Sequence, residues 1–264
     1  MNYKISNAIN DARDYFDISK YPGNFFQYII DDRNYIKKYK ILLFKQYLGE
    51  SNSGFIDYAN NGLAYICINH RNTIGHQNFT LAHEIGHYFL HKGEYCSDTD
   101  KTISISKKNT DKLEQEANEF AAEFLYPLEY VSKDIKNIFS KKLICEGNEL
   151  ELADYVNGIC ETYFISFKFA LCRILFESEW HNNNNVINKV EKVSKCVGSL
   201  NERYKNGLYL RNPENEFCKP YVGPYFAMKD YINTLVDKKE MGSESGEAIL
   251  DKNSELEGLD EKFN

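Results

Sequence analysis

The stretch Thr80-Leu81-Ala82-His83-Glu84-Ile85-Gly86-His87-Tyr88 decides how this chain is interpreted. Apolar residues surround much of the segment from Gln77 to His91, which predicts a largely buried helix. Two histidines four positions apart project from the same face of a helix, one turn apart, so His83 and His87 can bind one small cation together. Because unpaired polar groups on a buried helix cost roughly several kcal/mol, these histidines need partners.

Zinc is the cation that this pair favours. Imidazole suits zinc among the common metals, and a catalytic zinc ion takes three protein ligands at roughly 2.0–2.2 Å and leaves the fourth position to water. Glu84 follows the first histidine, on the side of the helix from which a carboxylate can reach that water. The pattern therefore predicts Glu84 as a general base, whereas solvated histidines on a surface helix are the alternative that the apolar flanks disfavour.

A second predicted helix, from Leu113 to Pro127, offers a third ligand. It is rich in Ala, Glu and Leu, has Asp111 as its predicted N-cap, and ends at a proline. Its apolar stripe consists of Leu113, Ala117, Phe120, Ala121, Phe124 and Leu125. Glu114 lies on the border of this stripe and can face the metal helix, with Asn118 one turn away as a partner that orients a ligand.

Other residues stay open as third ligands. His91 continues the spacing of four residues beyond His87, but three histidines on one helix surround a single ion awkwardly. Glu94 and Glu116 are further alternatives, although Glu116 is expected on the solvated face with Glu119 and Glu123. A metzincin site would require a histidine at position 93, which is glycine.

Three more histidines are expected to have no role in the site. His70 and His76 precede the metal helix and are predicted to lie on the surface or at strand ends, and His181 is expected to be incidental. With twenty tyrosines in the chain, no single one is assigned to stabilise an oxyanion.

The two motifs together resemble the ImmA/IrrE family of zinc metallopeptidases. The first is Thr80 to Tyr88, and the second is Glu114-x-Glu116-Ala117-Asn118-x-Phe120-Ala121-Ala122. The resemblance implies His83, His87 and Glu114 as zinc ligands and Glu84 as the catalytic carboxylate. One departure is Phe124-Leu125-Tyr126-Pro127, where the family usually has Leu-Leu-Met-Pro, and it is expected to alter packing or a cleft wall rather than the metal site.

This resemblance implies a zinc-dependent endopeptidase with a regulatory role. Glu84 would accept a proton from water as it attacks a peptide carbonyl and would pass that proton to the leaving amine. Members of the family act on helix-turn-helix transcriptional repressors of mobile elements or stress regulons, so a DNA-binding repressor is the expected protein substrate. The alternative is a non-proteolytic zinc-binding regulator that binds a repressor or DNA.

The predicted fold class is α+β, with a small antiparallel or mixed sheet packed on a helical, zincin-like core. Helices are predicted from Met1 to Lys20 and from Asn24 to Lys40, and three strands at 41–47, 54–58 and 63–69, with a turn at 60–62. Further helices are predicted at 128–139, 150–157 and 166–177, the last two joined at a turn around Gly158, and at 186–200. The C-terminal part is expected to be mostly helical. Three regions are expected, namely an ImmA/IrrE-like metallopeptidase domain at 1–180, a C-terminal extension of unknown role at 181–240 and an acidic disordered tail at 241–264.

Composition excludes several other classes of protein. The net charge of −7 gives no basic surface for nucleic acid, and direct nucleic-acid binding is not expected. The longest apolar stretch, 163–176, is interrupted by Lys168 and Arg173, and the first residues lack the apolar run of a signal peptide. Seven cysteines without a C-x-x-C pair argue against a disulfide framework, so the expected compartment is the cytoplasm.

Overall fold

The structure of the chain is a computed structural model. The residues that it describes are 2–32, 34–58, 62–91, 96–99, 112–143, 145, 147–176, 218–221, 223 and 225–252. The features predicted at Asp111, Glu94, His181 and 186–200 lie outside these residues.

Four strands of the described residues form one mixed sheet. They are β1 (Ile41–Gln46), β2 (Asn52–Tyr58), β3 (Ala64–Asn69) and β4 (Cys96–Thr99). Their order is β1-β3-β2-β4, with β1 parallel to β3 and with β2 antiparallel to both β3 and β4. The three predicted strands are present with small changes at their ends, and the predicted mixed sheet is confirmed.

Strands β1 and β3 are buried on both faces of the sheet. Because successive side chains of a strand point to opposite faces, alternate residues enter two different cores. Toward the larger core point Ile41, Leu43, Ile66 and Ile68. Toward the smaller core point Leu42, Phe44, Tyr65 and Cys67. The near-continuous apolar runs of these two strands reflect this double burial.

Ten helices occupy the rest of the described chain. They are α1 (Tyr3–Tyr15), α2 (Phe25–Ile30), α3 (Tyr35–Tyr39), α4 (Ile74–Leu90), α5 (Lys112–Leu125), α6 (Leu128–Ser140), α7 (Glu149–Tyr163), α8 (Phe167–Phe176), α9 (Tyr225–Asp237) and α10 (Ser243–Lys252). Together with the sheet they confirm the predicted α+β class. Among the described residues, no helix has the length and apolarity that a membrane crossing requires.

The helix that carries the two histidines, α4, begins earlier than predicted. Thr73 is its N-cap, and the Thr73 hydroxyl accepts a hydrogen bond from the His76 backbone N–H at 3.4 Å. Such a cap satisfies one of the N–H groups that the first helical turn leaves without a partner. The helix then runs without interruption to Leu90, so that His83 lies inside it and His87 lies in its last turn.

The breaks between helices differ from the predicted ones at two places. The single helix expected from Asn24 to Lys40 is divided into α2 and α3, and at the break the Asp32 side chain accepts a hydrogen bond from the Asn34 backbone N–H at 3.0 Å. An aspartate bonded to the chain two residues later favours a turn over a helix. The turn expected at Gly158 is also absent, because α7 continues through this residue to Tyr163.

Helices α4 and α5 pack closely at Gly86. A Cβ atom added to Gly86 would lie 3.1 Å from the Phe120 ring and 3.2 Å from the Ala117 Cα atom. A glycine here lets the two backbones approach each other, which brings the side chains of the first half of α5 to the histidine face of α4.

Helix α9 covers the second face of the sheet. Its residues Ala227, Met228 and Ile232 are buried in the smaller core with side chains of β1 and β3. The Tyr231 ring packs at 4.3 Å, between ring centroids, from that of Tyr65. At the end of the helix, Lys238 forms an ion pair with Asp57 of β2 at 3.2 Å. This part of the chain is therefore packed on the sheet.

The end of the described chain differs from the predicted disordered tail. Residues 243–252 form α10, and its Gly246 faces α9 so closely that an added Cβ would lie 3.0 Å from Ile232 and 3.1 Å from Val236. This acidic segment packs against apolar residues of α9, and its own composition does not indicate such a contact. Residues 253–264 lie outside the described chain, and the division into three regions stays a prediction.

Candidate metal centre

The candidate metal centre lies where α4 packs against α5. His83, Glu84 and His87 occupy neighbouring positions on one face of α4, and all three side chains are fully buried. Glu114 reaches them from the first turn of α5 and is slightly exposed, at 13% of its side-chain surface. Of the described residues, these two histidines and Glu114 are the group whose ligand atoms are placed to hold a metal ion together.

The ligand atoms of the three residues surround one point. The two Nε2 atoms of His83 and His87 are 3.0 Å apart. The Glu114 carboxylate lies 3.2 Å from His83 Nε2 and 3.5 Å from His87 Nε2. Ligands of a tetrahedral zinc ion with bonds near 2.0–2.1 Å are separated by about 3.3 Å, so the observed spacings fit such an ion.

Hydrogen bonding on the outer side of the His83 ring supports this fit. His83 Nδ1 lies 3.1 Å from the Asn118 side-chain oxygen, which only accepts hydrogen bonds, so Nδ1 carries the proton and donates. A neutral imidazole with its proton on Nδ1 presents its lone pair on Nε2, toward His87 and Glu114. Two ring nitrogens facing each other at 3.0 Å with a carboxylate beside them form an environment that a shared cation stabilises.

Glu84 lies between α4 and strand β2. A Cβ added to Gly54 of β2 would lie 3.5 Å from a Glu84 carboxylate oxygen, 2.5 Å from the Thr80 methyl group and 2.9 Å from the Cys67 carbonyl oxygen. The contacts with Thr80 and Cys67 leave room only for glycine at this position, and they place the strand beside the Glu84 carboxylate. Sequence reasoning did not single out Gly54, because its importance depends on a contact between separate elements.

The alternative third ligand Glu116 has a different environment from the predicted one. It is buried rather than solvated, and its carboxylate accepts hydrogen bonds from Lys4 of α1 at 2.6 Å and from His91 at 3.0 Å. The Lys4 ammonium group, opposed by desolvation and assisted by His91, lowers the pKa of Glu116 to about 2. Glu116 is thus an ionised carboxylate that pairs with Lys4 and His91 and does not belong to the three-ligand group.

The other histidines lie outside the three-ligand group. His91 is buried, and burial lowers its pKa, with the Glu116 hydrogen bond acting in the opposite direction. His70 Nδ1 lies 2.8 Å from the Cys218 backbone oxygen, to which it donates. His76 Nε2 lies 3.1 Å from the Ser53 hydroxyl. His70 directly follows the end of β3, as predicted, whereas His76 lies in the first turn of α4 and does not precede the metal helix.

Comparison with known proteins agrees with this geometry. The family model of the M78 peptidases, described as the IrrE N-terminal-like domain, matches residues 36–174, which is more than half of the chain. The metallopeptidase ImmA of Bacillus subtilis (strain 168) is 36% identical over 107 residues, which cover 40% of this chain and 60% of that relative. The region of this chain that the family model matches includes both α4 and α5.

A mixed sheet beside a helix with the pattern H-E-x-x-H, faced by a glutamate from a second helix, is the arrangement of a metallopeptidase domain. This chain belongs to the M78 peptidase family with the IrrE N-terminal-like domain. The resemblance to the ImmA/IrrE family is thereby confirmed.

Proposed function

We propose that the protein is a zinc-dependent endopeptidase, with His83, His87 and Glu114 as metal ligands and Glu84 as the catalytic carboxylate. The observation that carries this proposal is a fully buried carboxylate on the same helix face as two imidazoles that converge with Glu114. Membership in a family of peptidases supports the same class of reaction.

The number of ligands favours a catalytic over a structural zinc site. Structural zinc sites are closed by four protein ligands, whereas catalytic sites keep one position open. In the part of the chain that the structure describes, the group contains two histidines and one glutamate. A closed structural site has no use for an adjacent carboxylate, so the position of Glu84 also favours catalysis.

The residues of the chain have separate tasks in this proposal. A zinc ion held by the three ligands supplies Lewis acidity toward a water molecule and a peptide carbonyl. Glu84 takes the proton of the attacking water and passes it to the leaving amine. The Asn118 side-chain oxygen accepts a hydrogen bond from His83 Nδ1–H and so keeps the ring turned with Nε2 toward the metal.

We further propose a helix-turn-helix transcriptional repressor of a mobile element or stress regulon as the protein substrate. The support is the resemblance of both motifs to the ImmA/IrrE family, together with the match to the relative named metallopeptidase ImmA. The alternative is a zinc-containing regulator that binds its repressor, or DNA, without cleaving it.

Direct reading of DNA by α8 has little support. The Arg173 side chain is buried, and its guanidinium group donates hydrogen bonds to the Tyr126 backbone oxygen and the Glu123 carboxylate. Arg173 therefore links α8 to the end of α5, and its guanidinium group is not available to bind a phosphate. Of the two basic residues of this helix, Lys168 alone is exposed.

We expect the protein to act in the cytoplasm. Cys67 and Cys160 have free, buried thiols, and burial raises the pKa of Cys67 to about 12. Free cysteine thiols that form no disulfide are typical of proteins in a reducing compartment.

The substitution Glu84→Gln tests the proposed reaction. Without a carboxylate to accept the proton, cleavage of a peptide substrate should fall by about 100-fold or more, while zinc content and helicity stay unchanged. Glu119→Gln on the exposed face of α5 is the matched control and should cleave like the wild type. A Glu84→Gln protein that cleaves at the wild-type rate would refute the catalytic role.

The same variant tests the proposed substrate. Crosslinking of the Glu84→Gln protein in its own cells, followed by mass spectrometry, should identify a helix-turn-helix DNA-binding protein that the wild type cleaves after purification. A captured repressor that remains intact with the wild-type protein would favour the binding-only alternative.

A further inference from the structure

A chain of hydrogen bonds leads outward from His87 to the N-terminal helix. His87 Nδ1 lies 3.0 Å from Nδ1 of His91, the residue that caps the C-terminal end of α4. His91 Nε2 lies 3.0 Å from the Glu116 carboxylate on α5, and Lys4 of α1 donates to the same carboxylate oxygen at 2.6 Å. Four side chains from three helices thus form one continuous path.

The chemistry of the groups fixes the direction of each bond. When His87 binds a metal through Nε2, its proton is on Nδ1, so Nδ1 donates to His91. His91 must then accept with Nδ1 and carry its proton on Nε2, from which it donates to Glu116. The carboxylate accepts both this bond and that of Lys4, which is a consistent arrangement for a neutral His91.

Burial restricts the motion of the side chains in this path. His91 and Glu116 are buried, at 4% and 6% exposure. The His91 ring and the Glu116 carboxylate are therefore held by packing between α4 and α5. Asn118 on the same helix α5 accepts a hydrogen bond from Nδ1 of the other imidazole, His83. Each histidine of the metal centre therefore has its own acceptor, and the acceptor of His87 is itself anchored by a charged pair.

We propose that His91, Glu116 and Lys4 are positioning residues that hold His87 in the orientation and tautomer required for metal binding, and that α1 thereby contributes to the metal centre. This inference rests on the proposed metal site, but it concerns metal affinity and not cleavage. Outer partners of this type change metal affinity by roughly 10–100-fold when they are removed.

The tautomers of the rings provide the first test. Long-range proton–nitrogen correlation spectra of the zinc-loaded wild-type protein should show His87 protonated on Nδ1 and His91 neutral with its proton on Nε2. A positioning chain of this direction is impossible if His91 carries its proton on Nδ1, so that result would overturn the proposal.

Zinc affinity provides the second test, measured by competition with a chromophoric chelator. His91→Ala and Glu116→Gln should each weaken zinc binding by about 10-fold or more. Lys4→Met should weaken it to a smaller extent, and because Lys4 is half exposed this variant is expected to fold even if the buried substitutions do not.

Lys112→Met is the matched control for Lys4→Met. Lys112 is highly exposed, and its ammonium group lies 3.7 Å from the other carboxylate oxygen of Glu116. Replacing Lys112 therefore removes one positive charge near this carboxylate, as replacing Lys4 does, but it breaks no hydrogen bond. We expect wild-type zinc affinity for Lys112→Met. Equal effects of the two lysine variants would show that only general charge matters, which contradicts the proposal.

The outcomes separate this inference from the proposed function. Unchanged zinc affinity in folded His91→Ala and Glu116→Gln proteins would overturn the positioning chain and leave the peptidase proposal intact. Weakened affinity combined with an active Glu84→Gln enzyme would support the chain and refute the catalytic role. A wild-type protein that binds no zinc would overturn both.

Discussion

At the scale of single residues, Gly54 controls how closely β2 runs beside α4. The Cβ of alanine at this position would lie 2.5 Å from the Thr80 methyl group and 2.9 Å from the Cys67 carbonyl oxygen, so the strand or the helix must move. We expect Gly54→Ala to lower the free energy of unfolding by about 1–3 kcal/mol, the usual cost of overpacking. Because the shift occurs beside Glu84, peptide cleavage should fall as well.

Gly158→Ala is the control for this prediction. Gly158 lies within α7, and an added Cβ there has no heavy atom within 4 Å. Alanine in a helix is favoured over glycine by roughly 0.5–1 kcal/mol, so this variant should be more stable than the wild type. Chemical denaturation measures both effects, and a Gly54→Ala protein of wild-type stability would contradict the close approach of β2 and α4.

The spacing of the histidines was sufficient to predict their common direction, because His83 and His87 belong to one helix. Glu114 could be placed on the border of an apolar stripe, but the burial of Glu116 could not be predicted in the same way. Its partners are Lys4 of α1 and His91 at the C-terminal end of α4. The pattern of a single helix does not contain such contacts, and for this reason Glu116 was expected on the solvated face.

At the scale of elements, α9 acts as the cover of one face of the sheet. Ile232 is buried at 3% exposure in the smaller core, whereas the neighbouring Asn233 is exposed. We expect Ile232→Ala to lower the free energy of unfolding by about 2–4 kcal/mol through the lost burial and the cavity that remains. Asn233→Ala should change it by less than about 0.5 kcal/mol.

Thermal or chemical denaturation of the two variants tests this packing. Equal stability of Ile232→Ala and Asn233→Ala would mean that α9 does not cover the sheet in solution. The smaller core would then have to be covered by another part of the chain.

Helices and strands could be predicted where the apolar residues of a segment follow one clear pattern along the sequence. Strands β1 and β3 have near-continuous apolar runs, and α4 and α5 are apolar on the sides that meet. The break between α2 and α3 depends on the Asp32 side chain bonding to the backbone, a local competition that apolar period alone does not reveal. Helix α10 was missed because its stabilising contact, with α9, lies outside its own acidic sequence.

At the scale of the whole molecule, the described chain joins a family domain to flanking elements. Residues 36–174 match the family model and contain the three proposed ligands, while α1 precedes this match and α9 and α10 follow it. The flanking helices contact the domain at Glu116 and at the second face of the sheet. The two motifs lie in the matched region and were sufficient to indicate the family, whereas the flanks have no motif from which their contacts could be predicted.

The central claim of this account is that two neighbouring helices hold one zinc ion. The most direct measurement is the zinc content of the purified protein by elemental analysis, with His83→Ala, His87→Ala and the surface control Glu119→Ala measured beside it. We predict about one zinc per chain in the wild type and in the control, and strong depletion in both histidine variants. Full retention of zinc in both histidine variants would contradict the account.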